Sequence, residues 1–147
     1  MDELVELWEI PETEELYMIA GWSQWADAGS VSSGLPDYLI DHLSATKIGE
    51  IKPGSFYLFQ IPGMHHLLRP EVKFEEGYSS QIKPRANEFY YHGNEKVGLI
   101  IFRGEEPHMN AEQYADALFA ASRKLGVRRI ALVGGVYGAM PYEKDRE

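Results

Sequence analysis

Leu16-Tyr17-Met18-Ile19-Ala20 is an unbroken apolar run that stops abruptly at Gly21, and a loop and then helical spacing follow it. A short run that is apolar at every position, rather than at alternate ones, suits a strand covered by helices on both faces. The fold class this implies is α/β, a three-layer α/β/α sandwich around a mostly parallel mixed sheet.

The rest of the chain is consistent with that frame. Leu4 to Ile10 reads as an edge strand, ended by Pro11 and the acidic stretch Glu12 to Glu15. After the loop Gly21-Trp22-Ser23-Gln24-Trp25-Ala26-Asp27-Ala28-Gly29, the residues Val31, Leu35, Tyr38, Leu39, His42 and Leu43 recur at helical spacing. Asp27, or one of Ser30, Ser32 and Ser33, is available as the cap. Pro36 fits only in a first turn, which puts the helix start near Ser32 or Ser33, or marks a kink. Thr46 to Ile51 and Phe56 to Ile61 read as strands of one sheet. From Pro62 to Arg85 the periodicity fails, which suggests an excursion with a function or a mobile flap.

Asn87 to Tyr91 and Val97 to Phe102 read as a hairpin in which Gly93 and Asn94 suit positive φ. Asn110 with Gln113 resembles a capping box. Tyr114, Ala117, Leu118, Ala121 and Leu125 form an apolar stripe behind it, and Gly126 sits where a C-cap glycine belongs. Val127 to Val133 reads as another buried strand, which completes a right-handed strand–helix–strand crossover. A strand buried on both faces needs more cover than Val136 to Tyr142 supplies. Residues 1–147 are therefore expected to be one α/β domain, the N-terminal part of a longer protein, with its sheet edge covered by something else.

Charge and composition narrow the functions. With 14 basic and 23 acidic residues the net charge is −9, so the field of the domain repels a phosphate backbone and nucleic acid is not an expected partner. No apolar run approaches the ~20 residues that span a bilayer, and Met1-Asp2-Glu3-Leu4 lacks the features of a signal peptide. No membrane association is expected. The absence of Cys excludes disulfides, thiolate nucleophiles and Cys-ligated metal, and points to a cytoplasmic protein.

In sheets of this class ligands bind beyond the carboxyl ends of the strands. Three loops converge there, and the candidate ligand-binding residues are Trp22, Asp27, Gly29, Arg103, Glu106 and Gly134. Each also has a plainer role. Asp27 reads as a helix cap before it reads as a catalytic acid, and Trp22 and Trp25 could pack on the sheet or line a subunit contact. Arg103 with Glu105 and Glu106 reads as a loop ion pair before an acid–base pair. Gly134-Gly135-Val136-Tyr137-Gly138 follows a strand but matches no nucleotide-binding fingerprint, and no G-x-S-x-G elbow surrounds Ser23 or Ser32. His65-His66 lacks partners at metal-ligand spacing and belongs to the loop surface, so no metal and no cofactor are expected.

Two segments, GWSQWADAG behind the first buried strand and LIIFRGEEP followed by a helix and GVRRIALVGG, resemble the proteasome assembly chaperone 2 family over about Leu16 to Met140. Gly21, Trp22, Asp27, Ala28 and Gly29 match the first motif, and Gly104, Glu106 and Pro107 the second. The resemblance implies a phosphorylase/hydrolase-like sandwich, a longer protein and self-association, and it carries no agreed catalytic residues. It favours a non-enzymatic, assembly-chaperone-like protein, a homo-oligomer with a further protein partner. The alternative is a nucleotide- or phosphate-dependent small-molecule enzyme of the ATP-grasp-like ligase or phosphorylase-like kind.

Overall fold

The computed structural model describes residues 4–58, 71–75, 78–83 and 87–139. In chain order the elements are β1 (Val5–Leu7), β2 (Glu15–Ser23), a 3-10 turn (Ala28–Ser30), α1 (Val31–Leu43), β3 (Thr46–Ile51), β4 (Glu71–Glu75), β5 (Tyr78–Lys83), β6 (Glu88–Gly93), β7 (Val97–Glu105), α2 (Ala111–Leu125) and β8 (Arg129–Val133). Six strands form one mixed sheet in the order β1-β3-β6-β7-β2-β8. Parallel pairing is confined to β7, β2 and β8, and the remaining pairs are antiparallel.

The two long central strands fix the layers. Leu16, Met18 and Ala20 on β2 and Ile100 and Phe102 on β7 point to one face, where the α2 stripe Tyr114, Ala117, Leu118, Ala121 and Leu125 covers them. Phe56, Phe89 and Phe102 are fully buried there, and each such side chain stabilises the fold by roughly 1.5–3 kcal/mol. On the opposite face α1 packs against β2 and β7. Here the approach is close: a Cβ added to Gly21 would lie 1.8 Å from the Ser32 carbonyl oxygen and 2.9 Å from Pro36.

That contact explains α1. Helix formation begins at Val31, so Pro36 lies beyond the first turn, which departs from expectation. Proline has no N–H for the carbonyl four residues earlier, Ser32, and that oxygen faces the bare Cα of Gly21 instead. The buried residues of α1 are accordingly Ser32 and Pro36, small enough for the approach. The expected apolar stripe is displaced: Val31 and Tyr38 are exposed, and Tyr38 stacks on His42 at 5.3 Å.

Other readings are corrected by local hydrogen bonding. Phe56 to Leu58 is not strand, because the Phe56 N–H donates to the Pro53 carbonyl in a turn and its carbonyl accepts from the His108 and Met109 N–H groups. Residues 59–61 lie outside the described residues. Within Pro62 to Arg85, β4 and β5 pair antiparallel as a separate two-stranded sheet, and the other residues of that stretch, His65 and His66 included, are outside the description. The β6–β7 hairpin forms, but neither Gly93 nor Asn94 has positive φ. Gly93 is small because a Cβ there would lie 2.5 Å from Gly98 Cα, and Asn94 Oδ1 accepts from the Lys96 and Val97 N–H groups.

No capping box forms at Asn110, which takes up φ +55° and turns its amide to Ser55. Gly126 ends α2 in the left-handed conformation, as its position suggested. β8 is not buried: it is the end strand of the six, and Leu132 is 67% exposed.

Candidate functional site

Loops 24–30, 106–110 and 134–138 gather at the carboxyl ends of β2, β7 and β8, and hydrogen bonds lace them together. The Ala28 N–H donates to the Gly135 carbonyl at 3.0 Å, and the Gly135 N–H to the Ala26 carbonyl at 2.8 Å. The Ala26 N–H donates to Glu106 Oε1 at 3.2 Å, and the Gly29 N–H to the Tyr137 hydroxyl at 3.2 Å. A Cβ added to Gly134 would lie 3.5 Å from Ala26. Directly after β2, Gln24 holds φ +112°, a conformation that side chains other than glycine rarely adopt and that recurs where loops serve a function.

Ser30 holds the N-cap position of α1 without a side-chain cap bond, and the Asp27 carboxylate caps the helix from three residues before it. Its Oδ1 accepts from the Ser33 N–H at 2.9 Å and its Oδ2 from the Ser33 hydroxyl at 2.6 Å. A carboxylate thus already lies on the positive end of the helix, where an anionic ligand would otherwise bind. Ser32, which is buried, accepts from the Trp22 N–H at 2.8 Å and donates to the Val133 carbonyl at 2.6 Å, so one hydroxyl ties the ends of β2 and β8 to α1.

Beneath the loops on the α2 face lies a buried polar chain. The Trp22 indole N–H donates to the Tyr114 hydroxyl, which donates to Asn87 Oδ1 at 2.8 Å. The same oxygen accepts from the Glu105 N–H at 3.0 Å, while Asn87 Nδ2 donates to the Tyr57 hydroxyl at 2.7 Å and Tyr57 donates to the Glu105 carbonyl at 2.8 Å. Burial pushes the Tyr114 hydroxyl well above the usual tyrosine range, so it stays protonated and able to donate. His108 closes the outer side: its Nδ1 accepts from the Leu58 N–H at 3.1 Å, its Nε2 lies 3.4 Å from the Gln24 amide nitrogen, and its ring meets Tyr57 edge-on.

Arg103 is placed elsewhere. It faces the α1 side of the sheet, opposite to Trp22, where it pairs with Asp37 at 2.9 Å and with Glu88 and stacks over Tyr90 at 5.4 Å. Burial works against its charge, but the hydrogen bonds it donates to Glu88 and Asp37 hold its pKa above the usual arginine value. Of the residues singled out from sequence, Asp27, Gly29, Glu106 and Gly134 therefore come together in the loop cluster, Trp22 underlies it, and Arg103 stands apart. Ser32, Tyr57, Asn87, Tyr114 and His108 were not singled out. The signal for Asn87 and Tyr114 was indirect, a polar and a phenolic residue at positions that read as core.

The same end of the sheet exposes large apolar side chains: Trp25 is 85%, Val136 74% and Tyr137 86% exposed. Among the described residues no helix is long and apolar enough to cross a membrane.

No curated protein matches the chain. Solved structures do. A PAC2 family protein from Streptomyces avermitilis is 25% identical, with a TM-score of 0.73 over 88% of this chain and 54% of that one. A Mycobacterium tuberculosis proteasome-assembly chaperone homologue is 22% identical, with a TM-score of 0.71 over 88% and 52%. A second Mycobacterium tuberculosis protein, of unknown function, is 16% identical, with a TM-score of 0.74 over 99% and 51%. The chain spans about half the length of these structures, and the last two likenesses concern the fold alone. The model of the PAC2 family matches residues 21–147, from the Gly21 contact to the final residue, and the chain belongs to the PAC2 family.

Proposed function

We propose that this PAC2-family chain is a cytoplasmic, non-enzymatic protein that binds other polypeptides in an assembly-chaperone-like role and associates with its own copies. One observation carries the reading: at the carboxyl end of the sheet the groups that would hold a small anionic ligand are engaged internally, while large apolar side chains stand in solvent. Asp27 occupies the start of α1 and the Gly135 N–H is bound to Ala26, while Arg103, apart from the loops on the α1 face, is held by Asp37 and Glu88. Trp25, Val136 and Tyr137 are the exposed counterpart, and aromatic residues of this kind anchor protein contacts. The family match supports the same direction.

A thermal-shift screen against nucleotides, nucleosides and inorganic phosphate tests the choice. A ligand at 100 times its Kd adds about 2.7 kcal/mol of apparent stability. No such gain is expected. Binding of polypeptide partners should be lost in a Trp25→Ser, Tyr137→Ser double variant whose melting temperature is unchanged. A reproducible shift with a nucleotide or with phosphate would favour the small-molecule enzyme instead.

A further inference from the structure

Trp25 is held out in solvent by a fixed backbone. Its side chain is almost wholly exposed, yet the residues on either side are pinned: Gln24 holds φ +112°, the Ala26 N–H donates to Glu106 Oε1 at 3.2 Å, and the Ala26 carbonyl accepts from the Gly135 N–H at 2.8 Å. An aromatic ring presented from such a loop has little freedom left to lose on contact. The Ala26 N–H belongs to the peptide bond that joins Trp25 to Ala26, so the Glu106 carboxylate lies directly beside Trp25. Its Oε1 is engaged, and its Oε2 makes no hydrogen bond among the described residues.

The charge around the ring has one sign. Segments 21–36, 104–115 and 132–139, which build this end of the sheet, carry Asp27, Glu105, Glu106 and Glu112 and no Lys or Arg. Arg103, next to the second segment, faces the α1 side and is paired with Asp37 and Glu88. The face of an indole is itself electron-rich, so the accessible ring and the carboxylate oxygen beside it both attract a cation. We propose that this end binds a cationic segment of another polypeptide, with an arginine guanidinium stacked on Trp25 and donating to Glu106 Oε2. A guanidinium meets both demands at once, because its flat, weakly hydrated face stacks while the N–H groups at its edge donate. An acidic segment would be repelled, and a purely apolar one would strip water from the Glu106 carboxylate without replacing it. The proposal rests on the reading of this end as a polypeptide-binding surface and adds what the bound polypeptide must carry.

Fluorescence anisotropy with the 147-residue chain and dye-labelled synthetic peptides is the test. The probes are Gly-Ser-Arg-Tyr-Arg-Ser-Gly and the same peptide with glutamine or glutamate in place of both arginines. The arginine peptide should bind about tenfold tighter than the glutamine peptide, and the glutamate peptide should not bind. Raising salt from about 50 to about 200 mM should weaken the arginine peptide. Trp25→Leu, at an exposed position, should keep the circular dichroism spectrum and lose about fivefold in affinity for the arginine peptide. Glu106→Gln keeps an acceptor for the Ala26 N–H and should narrow the gap between the arginine and glutamine peptides. Equal binding of those two peptides by the wild type, or arginine binding untouched by both variants, overturns the proposal. Binding that ignores charge but is lost in the Trp25→Ser, Tyr137→Ser double variant overturns the cationic choice alone and leaves the proposed function standing. Binding of none of the three peptides also overturns the proposal, and the proposed function then stands or falls by its own screen of nucleotides and phosphate.

Discussion

The indole N–H of Trp22, at the end of β2, donates to the hydroxyl of Tyr114 in α2 at 2.9 Å, joining residues 92 positions apart. Tyr114 passes the interaction to Asn87, so a loop-bearing strand, a helix and the start of β6 share one buried polar chain. Tyr114→Phe keeps the shape and removes the link, leaving the indole N–H and one Asn87 acceptor position short of a partner. The expected loss is about 1–3 kcal/mol. Each kcal/mol lowers Tm by about 2–4 °C in a chain of this size. Calorimetry that finds the variant as stable as the parent would count against a structural role for the chain.

Ser32 is a comparable linchpin on the other face. Ser32→Ala leaves the Trp22 N–H without its acceptor and removes the donor to Val133. Amide exchange should then quicken at Trp22 while the midpoints of β2 and β7 keep their protection, because the opening is local. Uniform protection along β2 in the variant would show that water replaces the hydroxyl at no cost.

Two glycines of the same family motif should respond very differently to alanine. At Gly21 the new methyl meets backbone, the Ser32 carbonyl, so α1 must lift off the sheet at a cost of about 3 kcal/mol or more. At Gly29 the surroundings are open and only the φ of +65° resists, at about 1 kcal/mol. Denaturant midpoints of the two variants give the order directly, and the reverse order would refute the close helix approach.

Glu88 should make the fold acid-sensitive. Burial alone raises its pKa, but the hydrogen bonds and charges of Lys47 and Arg103 outweigh burial and hold it below the usual glutamate range. A carboxyl whose pKa is depressed in the folded state contributes stability above its unfolded value, about 4.3, and loses that contribution as pH falls through the folded value. Glu88→Gln should therefore melt below wild type at pH 7, with the gap closing toward pH 3. A gap that stays constant with pH would assign the effect to packing.

What could be read in advance follows from how local the cause is. The apolar run at β2, the stripe of Tyr114 to Leu125 and the cap at Gly126 are decided within a few residues, and each was legible. Where a distant group intervened, the reading failed. Asn110 gave up its box to reach Ser55, Phe56 gave up a strand to receive the His108 and Met109 amides, and Gly93 is small because of Gly98 rather than for its φ. The candidate site divides along the same line: Asp27 acts as the local cap its position suggested, whereas Arg103 is drawn away by Asp37 and Glu88, which lie on other elements.

The nine-residue parallel ladder between Glu15–Ser23 and Val97–Glu105 also has a consequence for biosynthesis. The first paired residues, Glu15 and Val97, are separated by 97 − 15 = 82 positions. At about 5–20 residues per second the ribosome needs on the order of 4–16 s to span that interval. For all of that time the most apolar segment of the nascent chain has neither of its neighbours in the sheet. A protein proposed to help others assemble would itself spend its first seconds in need of shelter.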